Sequence, residues 1–121
     1  MLDKIVAHAR RVGYHLGKKL TIGDENFRMH GYYASRLNYS DHHEPFLGTV
    51  LARYLKSRQG AFIDVGVNVR QTLMKVLSID RHRKYIGFEP QIGCSYFVDQ
   101  FLRLNHLRDA MVLPIALSDS N

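Results

Sequence analysis

The 121-residue chain has one cysteine, no tryptophan and three prolines. It contains no apolar run near the length of about 20 residues that crosses a bilayer. Each shortage excludes something. A lone thiol, Cys94, forms no internal disulfide and fits a reducing compartment. The first residues, Met-Leu-Asp-Lys-Ile-Val-Ala-His-Ala-Arg-Arg, lack the apolar core and small-residue cleavage site of a signal peptide. The expected location is the cytoplasm. No run of Lys and Arg exceeds two residues, so the excess of base reads as a solvated face rather than a polycationic tract.

What is present describes a globular chain, 45% hydrophobic and 23% charged, and its length suits one domain or a piece of one. Lys and Arg number 17 against 11 Asp and Glu, a net charge of +6. Residues 1–60 hold ten basic and five acidic groups, and residues 61–121 hold seven and six. A basic first half can track phosphate or an anionic membrane surface. Leu2, Ile5, Val6, Ala9, Val12, Leu16 and Leu20 recur at helical spacing, which predicts an amphipathic helix over residues 2–20. Its apolar stripe lacks Trp and Phe, so the reading favours packing on its own domain over a membrane.

A turn signal at Gly23–Asn26 and a β-favouring stretch from Phe27 to Tyr33 predict a short hairpin. Residues 1–42 thus read as an N-terminal extension, and residues 43–121 as the main domain. Pro45 opens a helix that ends near Ser57. Beyond it the pattern predicts strand Ala61–Val65, helix Gln71–Ile79, strand Lys84–Glu89, helix Gly93–Leu104 and strand Met111–Leu117. Short, nearly continuous apolar strands alternating with helices give an α/β fold with a parallel βαβαβ core.

The chemistry concentrates at the ends of these strands. Asp64 is a charge in an apolar strand and needs either a cationic ligand or donors within the turn. Gly66 permits a sharp exit and close approach of a ligand, and Asn68 tolerates positive φ. Asn68 stands where a dinucleotide fingerprint has its second glycine, which counts against NAD. Glu89 lies 23 residues after Gly66, close to the spacing of about 20 that sets a carboxylate on ribose hydroxyls. Pro90 ends that strand and fixes its exit. Cys94, at a helix start, reads either as a thiol of lowered pKa or as a small buried apolar group, and the second is favoured. His42 and His43 are metal-binding types, but adjacent residues rarely converge on one ion, so no metal site is expected.

From His43 to Asn121 the chain resembles the FkbM-type methyltransferases. The landmarks are Glu44-Pro45, Phe62-Ile63-Asp64-Val65-Gly66-Val67-Asn68, Gly87-Phe88-Glu89-Pro90 and Pro114-Ile115-Ala116-Leu117-Ser118-Asp119, in that order. The resemblance implies a Rossmann-like methyltransferase fold and S-adenosylmethionine as cofactor. Asp64, Gly66, Asn68 and Gln71 would surround its methionine part, Glu89 with Pro90 its ribose, and Ser118 and Asp119 its adenine. It further implies transfer to a hydroxyl oxygen, such as one on a saccharide, and names no catalytic base here.

Two departures shape the expectation. The family turn usually reads Gly-Ala-Asn-x-Gly, and Arg70 replaces its last glycine. That cation can swing outward, pair with the cofactor carboxylate or obstruct the pocket, and obstruction is favoured. A typical member also continues through further strands and a substrate region. The expectation is a truncated cofactor-binding portion, not competent alone, that self-associates through an exposed sheet edge. The alternative is a non-catalytic binding or assembly module with nucleic acid as the natural charged partner. Interleaved aromatics and recognised nucleic-acid motifs are missing, which weighs against it.

Overall fold

The computed structural model describes residues 17–30, 44–69 and 71–119. Strands β1 (Lys18–Ile22) and β2 (Glu25–Met29) form an antiparallel hairpin closed by Gly23 and Asp24. Gly23 has φ 56°, a conformation suited to a two-residue hairpin turn. Residues 18–20 therefore belong to a strand, and the helix expected over 2–20 overran them; residues 2–16 lie outside the described residues. Gly17 accounts for the boundary. Its φ is 70°, and a Cβ there would stand 2.9 Å from both Leu104 Cδ2 and the Met29 carbonyl oxygen. A left-handed residue so tightly enclosed demands glycine, and it is not a helical conformation.

Helix α1 (Pro45–Ser57) begins with proline at its first turn, where the missing N–H costs nothing. After it, β3 (Phe62–Val65), helix α2 (Gln71–Ile79), β4 (Tyr85–Phe88), helix α3 (Ile92–Leu104) and β5 (Ala110–Leu113) follow in turn. The three later strands form a parallel sheet in the order β3-β4-β5. This is the mixed α/β arrangement expected. The last strand is shorter than the predicted Met111–Leu117, ending before Pro114, which has no N–H to continue a ladder.

Strand alternation sorts the sheet into two faces. Phe62, Tyr85, Ala110 and Val112 point toward the helices and pack with Leu51, Leu73, Leu77, Val98 and Phe101. In register on the other face stand Ile63, Ile86 and Met111, then Val65, Phe88 and Leu113. Ile63 is 61% exposed, Val65 64% and Met111 52%. Parallel strands are ordinarily covered on both faces, and among the described residues no element covers these apolar side chains.

The hairpin lies against the end of α3 and the turn after α2. Phe27 is buried, with its ring 5.7 Å from that of Phe101. Arg81 stacks over Phe27 at 5.1 Å, pairs with Glu25 at 2.9 Å and donates to the Asn26 and Asn105 carbonyls. The buried Arg83 serves the end of α1, donating to the carbonyl oxygens of Leu55, Arg58 and Gly60. Its guanidinium also pairs with Asp80 at 2.9 Å. Charge-assisted bonds to otherwise orphaned carbonyls offset the cost of burying that cation.

Candidate functional site

The carboxyl ends of β3 and β4 meet in one hydrogen-bonded junction. Gly66 leaves β3 at φ 84°, with its N–H on the Phe88 carbonyl oxygen at 2.8 Å. A Cβ built on Gly66 would meet nothing within 4 Å, so the turn is open to an approaching molecule. Val67 turns the other way and is buried. Its Cγ2 sits directly over β4, only 2.4 Å from where a Cβ on Gly87 would be. Gly87 is what lets the turn settle on the sheet.

Asn68 follows at φ 52°, the positive φ read from its side chain's tolerance of that region. Its N–H donates to Glu89 Oε2 at 2.7 Å, while the Gln91 N–H donates to Glu89 Oε1 at 2.8 Å. Glu89 is only 7% exposed. It stands one residue beyond β4 and joins the β3–α2 turn to the start of α3. Each carboxylate oxygen has a second lone pair beyond these backbone bonds. Exposed Pro90 follows it, and half-buried Gln71 opens α2.

Asp64 finds a partner that the sequence did not identify. The phenol of Tyr85, fully buried on β4, donates to Asp64 Oδ2. Burial, then the hydrogen bond and charge of Asp64, hold the Tyr85 phenol far above the ordinary tyrosine range. The Tyr85 ring also stacks on Phe62 at 5.7 Å. A tyrosine in an apolar strand reads as core filling; its use as a donor becomes visible only when strand register brings it beside Asp64.

Cys94 departs from both sequence readings. It lies half-buried in the first turn of α3, with Sγ 3.0 Å from Gln91 Oε1. Its thiol is shifted upward, by burial and then by the Glu89 charge, so the less favoured reading, a thiol of lowered pKa, is overturned. Burial first, and the neighbouring carboxylate second, disfavour the thiolate here. Ser118 and Asp119 are exposed in the irregular segment after β5. Hydrogen bonds thus bring together Asn68, Glu89, Gln91 and Cys94, while Asp64 bonds to Tyr85. Arg70, and with it the obstructing role considered for it, lies outside the described residues, as do His42 and His43. Among the described residues no three His, Cys, Asp or Glu side chains converge as metal ligands. None of the helices described is long and apolar enough to cross a membrane.

No family model matches the chain, and no curated protein matches it.

Proposed function

We propose that the chain is the cofactor-binding portion of an S-adenosylmethionine-dependent methyltransferase of Rossmann-like fold. The observation that carries the reading is the Glu89 junction. An acid at the end of one parallel strand holds the glycine turn that leaves the neighbouring strand. Ligands of open α/β sheets bind outside the carboxyl ends of their strands, and this is where the junction lies.

The residues fit such a cofactor. The open side of Gly66 admits the methionine part, and Asp64 offers a carboxylate to its ammonium group. The remaining lone pairs of Glu89 suit vicinal ribose hydroxyls. Gln71 and the first turn of α2 present backbone N–H groups to the cofactor carboxylate. Ser118 and Asp119 border the adenine. When bound, the cofactor supplies a methyl group on a positively charged sulfur, for transfer to an acceptor hydroxyl such as that of a sugar. The oxygen acceptor follows from the family resemblance alone.

Titration calorimetry with S-adenosylhomocysteine tests the reading by binding rather than turnover. Saturable heat is expected, with amide shifts in a parallel NMR titration confined to residues 64–71, 89–94 and 117–119. Absence of heat and of those shifts removes the basis for the cofactor.

A further inference from the structure

We propose that the opposite pole of the sheet carries a second site, for a small phosphate-bearing molecule. A cavity of about 740 Å³ lies between the hairpin, the turn after α2 and the end of α3. That volume is within the range of about 300–1,000 Å³ usual for small-molecule sites. Four cationic or cation-forming side chains line it: Lys19 from β1, Arg28 from β2, Arg81 from the turn before β4, and His106 from the turn before β5. No carboxylate stands among the described lining residues. Glu25, outside that lining, offsets one charge through its pair with Arg81.

The donors come from four separate segments, an arrangement that suits an anion with several oxygens and more than one charge. Their frame is fixed. Arg81 is held by Glu25, Asn26, Asn105 and the Phe27 ring. Asn105 in turn bonds to the backbone of Arg28 on both sides. A cation held in place before binding, as Arg81 is, loses less freedom when a ligand arrives. Leu104 adds apolar wall, so a less polar group can accompany the phosphate. Phe27 is 1% exposed and offers no face for base stacking, which favours a small molecule over a nucleic-acid strand. The two turns involved precede β4 and β5, whereas Glu89 follows β4. This site is therefore independent of the cofactor reading.

The test is an NMR titration of the whole chain with inorganic pyrophosphate at low and moderate salt. Saturable amide shifts are expected at Lys19, Arg28 and His106, unaffected by S-adenosylhomocysteine. Lys19→Glu and His106→Asn are each expected to weaken binding about tenfold, the scale of a charge-assisted hydrogen bond. Asn retains the φ of 54° at position 106, and both side chains are exposed; unchanged thermal melting confirms that the fold persists. Arg53→Glu, on α1 and away from the cavity, is expected to change nothing. Shifts that never saturate, or equal losses in Lys19→Glu and Arg53→Glu, overturn the site. Tighter binding of a single-stranded RNA than of pyrophosphate through the same residues overturns its assignment to a small molecule.

Discussion

The side-chain amide of Asn105 pairs with the backbone of Arg28 as a neighbouring strand would. Asn105 Nδ2 donates to the Arg28 carbonyl at 2.7 Å, and the Arg28 N–H donates to Asn105 Oδ1 at 2.5 Å. A second Nδ2 bond reaches the Phe101 carbonyl at 2.8 Å. One residue, 8% exposed, thus closes the end of α3 and fastens the hairpin to it across 77 positions of sequence. Asn105→Leu retains similar bulk but leaves these backbone groups without their partner. We expect a loss of about 2–3 kcal/mol, from unsatisfied groups worth about 1–3 kcal/mol each. Urea unfolding measures it, and amide exchange in β2 is expected to quicken with it.

A second contact sets the geometry of the β3–α2 turn. A Cβ on Gly87 would meet Val67 Cγ2 at 2.4 Å, and Tyr85 and Val112 side chains at 3.1 Å each. Gly87→Ala is expected to cost about 1–3 kcal/mol, the range for overpacking a filled core. Pairing it with Val67→Ala frees the space, so the double variant is expected to recover part of the loss. A double-mutant cycle by chemical denaturation checks the coupling.

The alternation of strands and helices was legible because apolar strands and 3.6-residue periodicity are local signals, as in β3 and α3. The positive φ of Asn68 was legible from its side chain for the same reason. The start of the hairpin was not. Leu16 and Leu20 continue a stripe of helical spacing in the sequence, whereas the left-handed φ of Gly17 and its enclosure by Leu104 and Met29 are tertiary features. The burial of Lys75 and Arg83 was not legible either. Both are buried, at 6% and 8% exposure, because the carbonyl oxygens they satisfy at the two ends of α1 come from distant sequence. Glu89 was found from spacing, but its two backbone partners were not. The Asn68 partner depends on how the β3–α2 turn folds back over β4.

The Asp64–Tyr85 bond predicts an alkaline limit to stability. The folded-state pKa of Tyr85 is raised above its unfolded value, which is about 10. The folded state therefore holds that proton more tightly. Its contribution is fully present below about pH 10 and is lost as pH rises further. Tyr85→Phe is expected to cost about 1.5–3 kcal/mol at neutral pH, by removing a hydrogen bond to a charged group. It is also expected to flatten the fall in stability above pH 10. Denaturation midpoints between pH 7 and 11 test both; parallel curves for the two proteins would refute the linkage.

Glu89→Gln separates a structural from a ligand-holding role. An amide keeps one acceptor oxygen, so either the Asn68 or the Gln91 N–H would face a donor. A stability loss of about 1–3 kcal/mol is expected from that mismatch alone. If Glu89 also holds the ribose diol, binding of S-adenosylhomocysteine weakens as well. The binding loss should largely vanish for an analogue without ribose hydroxyls. An equal loss with both ligands would assign Glu89 to the turn alone.

The bare sheet face predicts reversible self-association. Ile63, Val65, Ile86, Phe88, Met111 and Leu113 form an apolar surface in strand register, and β3 has one strand neighbour among the described residues. Two such faces bring twelve large side chains together. At about 1 kcal/mol each for partial burial, they contribute roughly 12 kcal/mol. Association itself costs about 4–15 kcal/mol. The balance favours weak, concentration-dependent association over a permanent dimer. Sedimentation velocity across a hundredfold range is expected to show a rising mass. Val65→Lys places a charge on the most exposed residue of that face without touching the core and is expected to keep the protein monomeric. A wild-type monomer across the whole range, with cooperative unfolding, would show that the face is covered within the single chain.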